Sequence, residues 1–323
     1  VDQLAIGAVS GLLVVRPAAF LAIIISAATA ATFVAVASSR AIVIPVVVVE
    51  LLLGVVIGPH LIGFHVNGFT SFFSDLGLAL PFFFAGYEIE PSRIRGEPLR
   101  LGLLGWGLSL VLGYTLAGVL SLVGVVLSTL YTGSALTTTA IGTLIPILAD
   151  TGELRTRFGP FILAAGAVGE FGPLLVITLV LSSEGTLHNA LILVAFIAIA
   201  VLLAVVSGRS ARFTIPLFER TLESSSQLAV RWILVLIFAL VLIAYHLGLD
   251  VLLGGFAAGL ITRHMLGSRD AHVFESKLTA VAFGAFVPFF FVVSGMNLDL
   301  PALFGSVGSV AKMGLFFVLF LVV

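Results

Sequence analysis

Long apolar runs, one after another, fix what this chain can become. A helix that crosses a bilayer needs about 17–25 predominantly apolar residues. Eleven stretches read as such spans: 17–38, 41–58, 69–88, 99–122, 129–149, 158–182, 188–206, 232–247, 249–264, 278–296 and 302–323. Asp, Glu, Lys and Arg together make up only 10% of the 323 residues, and mean hydropathy is +1.26. A water-soluble domain carries roughly 25% charged residues, so too few are present to clothe a globule of this size. The chain is expected to be an all-α polytopic membrane protein with the lipid bilayer as its solvent. Residues 1–16 form an N-terminal segment that is too short to span; it reads as an interfacial piece or the end of a lost helix. Residue 1 is Val and no charged, apolar, small-residue leader is visible, so no signal peptide is expected.

Charge and cysteine content remove further classes. The net charge is −1 and no basic run interleaves with aromatics, which excludes nucleic acid as a partner. The chain has no Cys, which excludes disulfides, thiolate metal sites and cysteine nucleophiles. There is no HExxH, no phosphate-cradling glycine loop and no GxSxG, so an enzyme is not expected and no cofactor is implied.

The basic residues set an orientation. Thirteen of the 15 fall at or after spans 1, 3, 5, 7 and 9, from Arg40 through Arg93, Arg155 and Arg209 to Lys277, and the loops after the even-numbered spans carry none. By the positive-inside rule the odd-numbered loops are cytoplasmic. The spans also repeat. LLLGVVIG (Leu51 to Gly58) returns as LLGGFAAG (Leu252 to Gly259), and FFFAGYEIEP (Phe82 to Pro91) as FFFVVSGMNLDLP (Phe289 to Pro301). Both pairs lie seven spans apart, and an odd offset inverts the second copy in the membrane. Inverted-topology repeats mark secondary transporters with a midplane site. The same offset leaves spans 5 and 6 without counterparts, so the chain reads as lacking the end of its transport unit.

Polar groups at mid-membrane cost roughly 2.5–3.5 kcal/mol each on insertion scales and are functional candidates by default. Glu170 stands at the centre of span 6, in AVGEFGP, among Gly169, Gly172 and Pro173. A carboxylate held away from bulk water is suited to trading a proton for a cation. Otherwise it is a structural acid paired to a neighbouring helix. Thr137, Thr138 and Thr139 lie between Gly133 and Gly142, with Pro146 following, which is poor material for a continuous helix. A break there would offer hydroxyls and carbonyls to a cation; alternatively the hydroxyls bond back to their own helix. Glu50, mid-span in VVVVELLLG, reads as a second cation ligand or, preferably, as a group that hydrogen-bonds two helices together. Lys312 reads equally as an internal counter-ion to Glu170 or as a side chain snorkelling to an interface. Asp75, Glu88, Glu90, Asp150 and Glu153 lie near span ends or in loops, where solvated or capping roles are expected.

These residues resemble the cation:proton antiporter superfamily, nearest to the branch of Kef-type potassium efflux and bacterial Na+/H+ antiporters. LLLGVVIGPHLIGF, FFFAGYEIEP, TTTAIGTLIPIL and FFFVVSGMNLDL carry the likeness, which covers 17–323 as a membrane antiporter domain. It implies an inverted-repeat Na+/H+ antiporter-like fold of 13 spans, about 11 of them visible here, working as a homodimer by elevator-type alternating access in the bacterial cell membrane. It places the family's broken helix at Thr137, Thr138, Thr139, Ala140 and Ile141. It makes Glu170, eleven residues after Gly159, the carrier carboxylate and hence the seat of a monovalent cation, Na+ or K+. Two departures stand out: Glu where Asp is usual, and Gly169 where the family has a polar residue. A single carboxylate implies one-for-one exchange. The family's basic residue in the eleventh span falls at or just past Lys312. A channel-like or ligand-sensing protein on the same scaffold is the rival reading.

Overall fold

A computed structural model describes residues 17–37, 44–88, 96–140, 144, 148, 152–153, 156–180, 186–221, 226–266 and 272–323. The segment 1–16, Ile141, Glu90, Asp150 and several of the loop arginines lie outside the described residues. Every regular element among those described is helical. In chain order they are α1 (Pro17–Ala37), α2 (Val46–Ile57), α3 (Gly68–Glu88), α4 (Glu97–Leu122), α5 (Thr129–Leu136), α6 (Gly159–Val180) and α7 (Thr186–Thr221). Then come α8 (Leu228–His246), α9 (Val251–Leu266), α10 (His272–Val281), a π-helical turn (Ala282–Phe286), α11 (Val287–Met296), α12 (Leu300–Phe304) and α13 (Val307–Val322). Among the described residues, six helical stretches are long and apolar enough to cross a membrane: α1, α3, α4, Leu187–Ser210 of α7, α8, and Val273–Met296 across the π turn. α2, α9 and α13 are shorter apolar helices. The protein is an integral multi-pass membrane protein with an all-helical fold.

The helices start where local chemistry says they should. Pro17 and Pro160 occupy opening turns, where a missing N–H costs nothing. α3 opens on a reciprocal cap: Asn67 Oδ1 accepts from the Thr70 N–H at 3.0 Å, and Thr70 Oγ1 accepts from the Asn67 N–H at 2.9 Å. Ser306 caps α13 by accepting from the Ser309 N–H at 3.0 Å. Two spans depart from their sequence outlines. The stretch 129–149 is helical only to Leu136 before it is interrupted, and α7 runs past 206 to Thr221, through Arg209 and Arg212.

The chain divides into two compact units. The first comprises residues up to Leu80 together with His272–Gly305, and the second Pro81–Ala271 with Ser306–Val323. The first boundary falls at Pro81, inside α3. In the first unit Ile23, Ile57, Phe289, Val292, Val293 and Met296 form one buried cluster. Gly54 of α2 lies against the Val292 carbonyl, and Gly295 of α11 against the Leu51 carbonyl, so the two backbones touch. In the second unit Gly86 of α3 and Gly259 of α9 do the same, against the carbonyls of Phe256 and Phe83. Lipid tails are as apolar as Leu, so such helices associate by close packing rather than by escaping solvent, and small residues permit it. These glycines belong to the repeated segments: span 2 crosses span 10 in one unit, and span 9 crosses span 3 in the other, by the same device. The outward faces are apolar, with Leu104, Leu108 and Val111 on α4 and Leu187, Leu191 and Val194 on α7 exposed. In water such surfaces would aggregate; in a bilayer they match their solvent.

Candidate functional site

Helix α4 is the platform of the site. Its Gly102 lies against the backbone of Ala164 and Ala165 on α6, and its Trp106 ring presses on Gly172 of the same helix. Two to three turns further along, Gly113 faces the Thr137 methyl, and the Tyr114 ring covers Gly133 of α5. Tyr114 Oη and Ser134 Oγ are 2.7 Å apart and share a hydrogen bond. The second unit thus holds α5 and α6 side by side on α4, with glycines at each close approach.

α5 ends where the threonines begin. Ser128 caps its start, and Leu136 is its last helical residue. Thr137 is the C-cap, at φ −96° and ψ 2°, and Thr138 to Ala140 are non-helical. Thr137 bonds back on its own helix: its hydroxyl donates to the Ser134 carbonyl at 3.1 Å, and it is 3% exposed. Thr138 donates its N–H to the Ala135 carbonyl at 3.3 Å. The run thus combines back-bonding at Thr137 with a helix interruption immediately after it.

Thr139 crosses to α6. Its N–H donates to the Gly169 carbonyl at 3.1 Å, and its hydroxyl donates to the Gly166 carbonyl at 3.0 Å. The cause lies in the sequence of α6. In a regular helix the Gly169 carbonyl would accept from the N–H of residue 173, but residue 173 is proline and has none. A carbonyl left without its partner inside a membrane protein needs another donor, and Thr139 supplies it. The approach is close. A Cβ on residue 169 would stand 2.8 Å from Thr139 Oγ1 and 2.9 Å from its Cγ2, so only glycine fits.

Glu170 follows immediately on α6 and is 8% exposed. The interrupted segment is therefore tied to the residue before the carboxylate and to the turn beneath it. Phe171 on the next position packs on Phe82 and Phe256, with ring centroids 5.8 and 3.9 Å apart, and Phe256 also adjoins the buried cluster of Ala85, Leu163 and Ala164. With aromatic packing behind it and a proline one turn ahead, the backbone around Glu170 is held from two sides.

The other candidates fall elsewhere. Glu50 is 4% exposed and belongs to the first unit. Lys312 is on an exposed face of α13, with no ionic partner among the described residues, and the structure does not bring it to buried Glu170. Asp75 is exposed, Glu88 ends α3, and the exposed Glu153 accepts from the Thr156 hydroxyl. One participant is announced by the sequence and one is not. The spacing of Gly169 and Pro173 already announces an orphan carbonyl four residues before the proline, a signal that was readable. Trp106 gives no such signal, and only the packing reveals it; its indole Nε1 is buried without a hydrogen-bond partner among the described residues.

A family model described as "Sodium/hydrogen exchanger, transmembrane" matches residues 13–323. A probable Na+/H+ antiporter 3 of Methanocaldococcus jannaschii is 25% identical over 269 residues, which is 81% of this chain and 67% of that protein. The Na+/H+-K+ antiporter GerN of Bacillus cereus is 25% identical over 267 residues, 80% of this chain and 67% of its own length. The putative Na+/H+ antiporter YjbQ of Bacillus subtilis is 25% identical over 284 residues, 81% of this chain and 44% of that protein. The chain thus spans about two thirds of the first two relatives and less than half of the third.

Proposed function

Because the chain belongs to the sodium/hydrogen exchanger family, we propose that it exchanges a monovalent cation, Na+ or K+, for H+ by letting the two compete for Glu170. The observation that carries this reading is the bond from the Thr139 N–H to the Gly169 carbonyl, which anchors an interrupted helix beside a buried carboxylate. A buried carboxylate is costly to leave ionised without positive charge close by, so a proton or a cation is required at it. That requirement is what couples the two fluxes. When the proton leaves, a cation takes its place; when the cation leaves, a proton returns.

The same geometry supports a set of ligands around Glu170. Thr139 spends its hydroxyl proton on Gly166 and keeps its oxygen lone pairs, and Thr137 does the same toward Ser134. Thr138 is exposed. The C-terminal end of α5 carries the partial negative charge of a helix terminus, which favours a cation there. Gly169 contributes space and backbone rather than a side chain. One carboxylate implies one cation for one proton, and hence electroneutral exchange.

Access from the two sides of the membrane is taken to alternate by an elevator-type movement. The division of the chain into two compact units, with Glu170 and the threonines in the second, supports it. A homodimer in the bacterial cell membrane, as the family resemblance implies, completes the proposal. Several relatives come from bacteria. The names of the relatives include both Na+/H+ and Na+/H+-K+ antiporters, which supports Na+ or K+ as the cargo. In proteoliposomes loaded with a pH-sensitive dye, the full-length protein should move protons when Na+ or K+ is added, and Glu170→Gln should abolish that movement while keeping its thermal unfolding profile. Unchanged proton movement in Glu170→Gln would refute the reading.

A further inference from the structure

The first unit contains a second buried carboxylate that the exchange site does not use. Glu50, on α2, is 4% exposed and has no hydrogen-bond or ionic partner among the described residues. It lines a cavity of about 490 Å³ between α1, α2 and the π turn that joins α10 to α11. Every other described side chain on the wall is apolar, and four of them, Phe20, Phe73, Phe286 and Phe289, form one aromatic cluster. Phe20 and Phe289 lie 5.1 Å apart, Phe73 and Phe289 5.3 Å, and Phe73 and Phe286 stack at 5.9 Å. The remaining wall includes four residues of the π turn itself, from Phe283 to Phe286. A π turn spends helical regularity, and such turns concentrate at functional sites.

Volume, walls and charge together choose the occupant. The cavity is within the range of small-molecule pockets, which are mostly apolar with a few placed polar groups. A lipid tail would fill it but leave the Glu50 carboxyl without a partner, at a desolvation cost. Among the described residues, a bare alkali ion would find one carboxylate on the wall and no other side-chain oxygen to replace its water. An ammonium group on an apolar body satisfies both features: its N–H groups pair with Glu50 in a charge-assisted hydrogen bond, and its body meets the phenylalanines, whose ring faces attract cations. The rim residues Ile24 and Ala28 of α1 are exposed, so entry is open to an amphiphile dissolved in the bilayer.

We propose that this cavity binds a hydrophobic organic ammonium ion, with its charge on Glu50 and its apolar body against the Phe20–Phe73–Phe289 cluster. The test uses the full-length protein in lipid nanodiscs, with empty nanodiscs as the partition blank. The probe is 1-naphthylmethylamine, and the control is the neutral 1-naphthalenemethanol. Saturable amine binding is expected, weakened about tenfold or more by Glu50→Gln, as loss of a charge-assisted bond requires. The alcohol should bind weakly and equally to both proteins. Glu170→Gln should leave amine binding unchanged. Ala27→Trp, which keeps Glu50 and fills the cavity from α1, should abolish amine binding, and it serves as the deciding variant if Glu50→Gln fails to fold. The proposal is overturned if no saturable amine binding occurs, if the alcohol binds wild type as tightly, or if Ala27→Trp or Glu50→Gln retains wild-type affinity. Loss of amine binding in Glu170→Gln would move the probe to the exchange site and equally end the proposal.

Discussion

Thr139, Gly169 and Pro173 form a chain of cause that can be cut at each link. Gly169→Ala puts a methyl where Thr139 already stands. Overpacking of that kind costs about 1–3 kcal/mol, and it should appear as a lowered melting temperature of the purified protein together with reduced exchange. Thr139→Ala combined with Gly169→Ala should cost less than the two changes summed, because the clash is gone once the threonine is small. Pro173→Ala acts in the opposite direction on stability. It returns an N–H to α6, where proline costs the interior of a regular helix about 3 kcal/mol, and this N–H competes with Thr139 for the Gly169 carbonyl. The variant should melt higher, and its Thr139 amide should exchange hydrogen faster, while cation-dependent proton movement falls. An unchanged Thr139 exchange rate would show that the proline is not what frees the carbonyl. The acid at 170 was legible in the sequence because a charge in the middle of an apolar span is rare. The reason for glycine at 169 was not, because it is set by a side chain 30 positions earlier in the chain.

At the scale of the element, the glycines of the helix crossings carry the packing. Gly295 against Leu51 and Gly86 against Phe256 leave no room for a Cβ, and the obstacle in both is backbone, which cannot swing aside. Gly295→Ala and Gly86→Ala should each lower stability by about 1–3 kcal/mol. Gly105→Ala on α4 is the control: a Cβ there meets nothing within 4 Å, and the better helix former should raise stability by roughly 0.5–1 kcal/mol. Thermal unfolding in one detergent compares all three; equal effects at all three positions would mean that the crossings are not what these glycines serve. The repeated segments were legible as text, since the paired motifs share one offset in spans. That they cross by the same glycine-to-carbonyl contact was not, because a sequence motif names small residues without saying which backbone they admit. The interruption after Leu136 was likewise announced by Thr137–Thr139 and Gly133, whereas the length of α7 beyond 206 was hidden, since hydropathy falls at Arg209 while the helix does not end.

Across the whole molecule, the arginines set an expectation for span order and sidedness, and the cysteine-free chain makes it easy to test. Arg157→Cys, in the loop after span 5, should react with a membrane-impermeant maleimide only in inside-out vesicles. Leu127→Cys, in the loop after span 4 and fully exposed, should react only in right-side-out ones. Labelling of both from the same side would break the orientation and with it the inverted repeat. The bilayer setting was legible from charge scarcity alone, because no soluble packing can hide that much apolar surface. The cavity beside Glu50 was not, because a void is made by helices brought together and no single helix records it. The central claim is that cation and proton exclude each other at Glu170, and counting protons tests it most directly. Cation is titrated into the purified full-length protein by calorimetry in buffers of differing ionisation enthalpy. The account predicts one proton released for each Na+ or K+ bound by wild type, and neither binding nor release in Glu170→Gln. Cation binding with no proton release in wild type, or intact binding and release in Glu170→Gln, would contradict it.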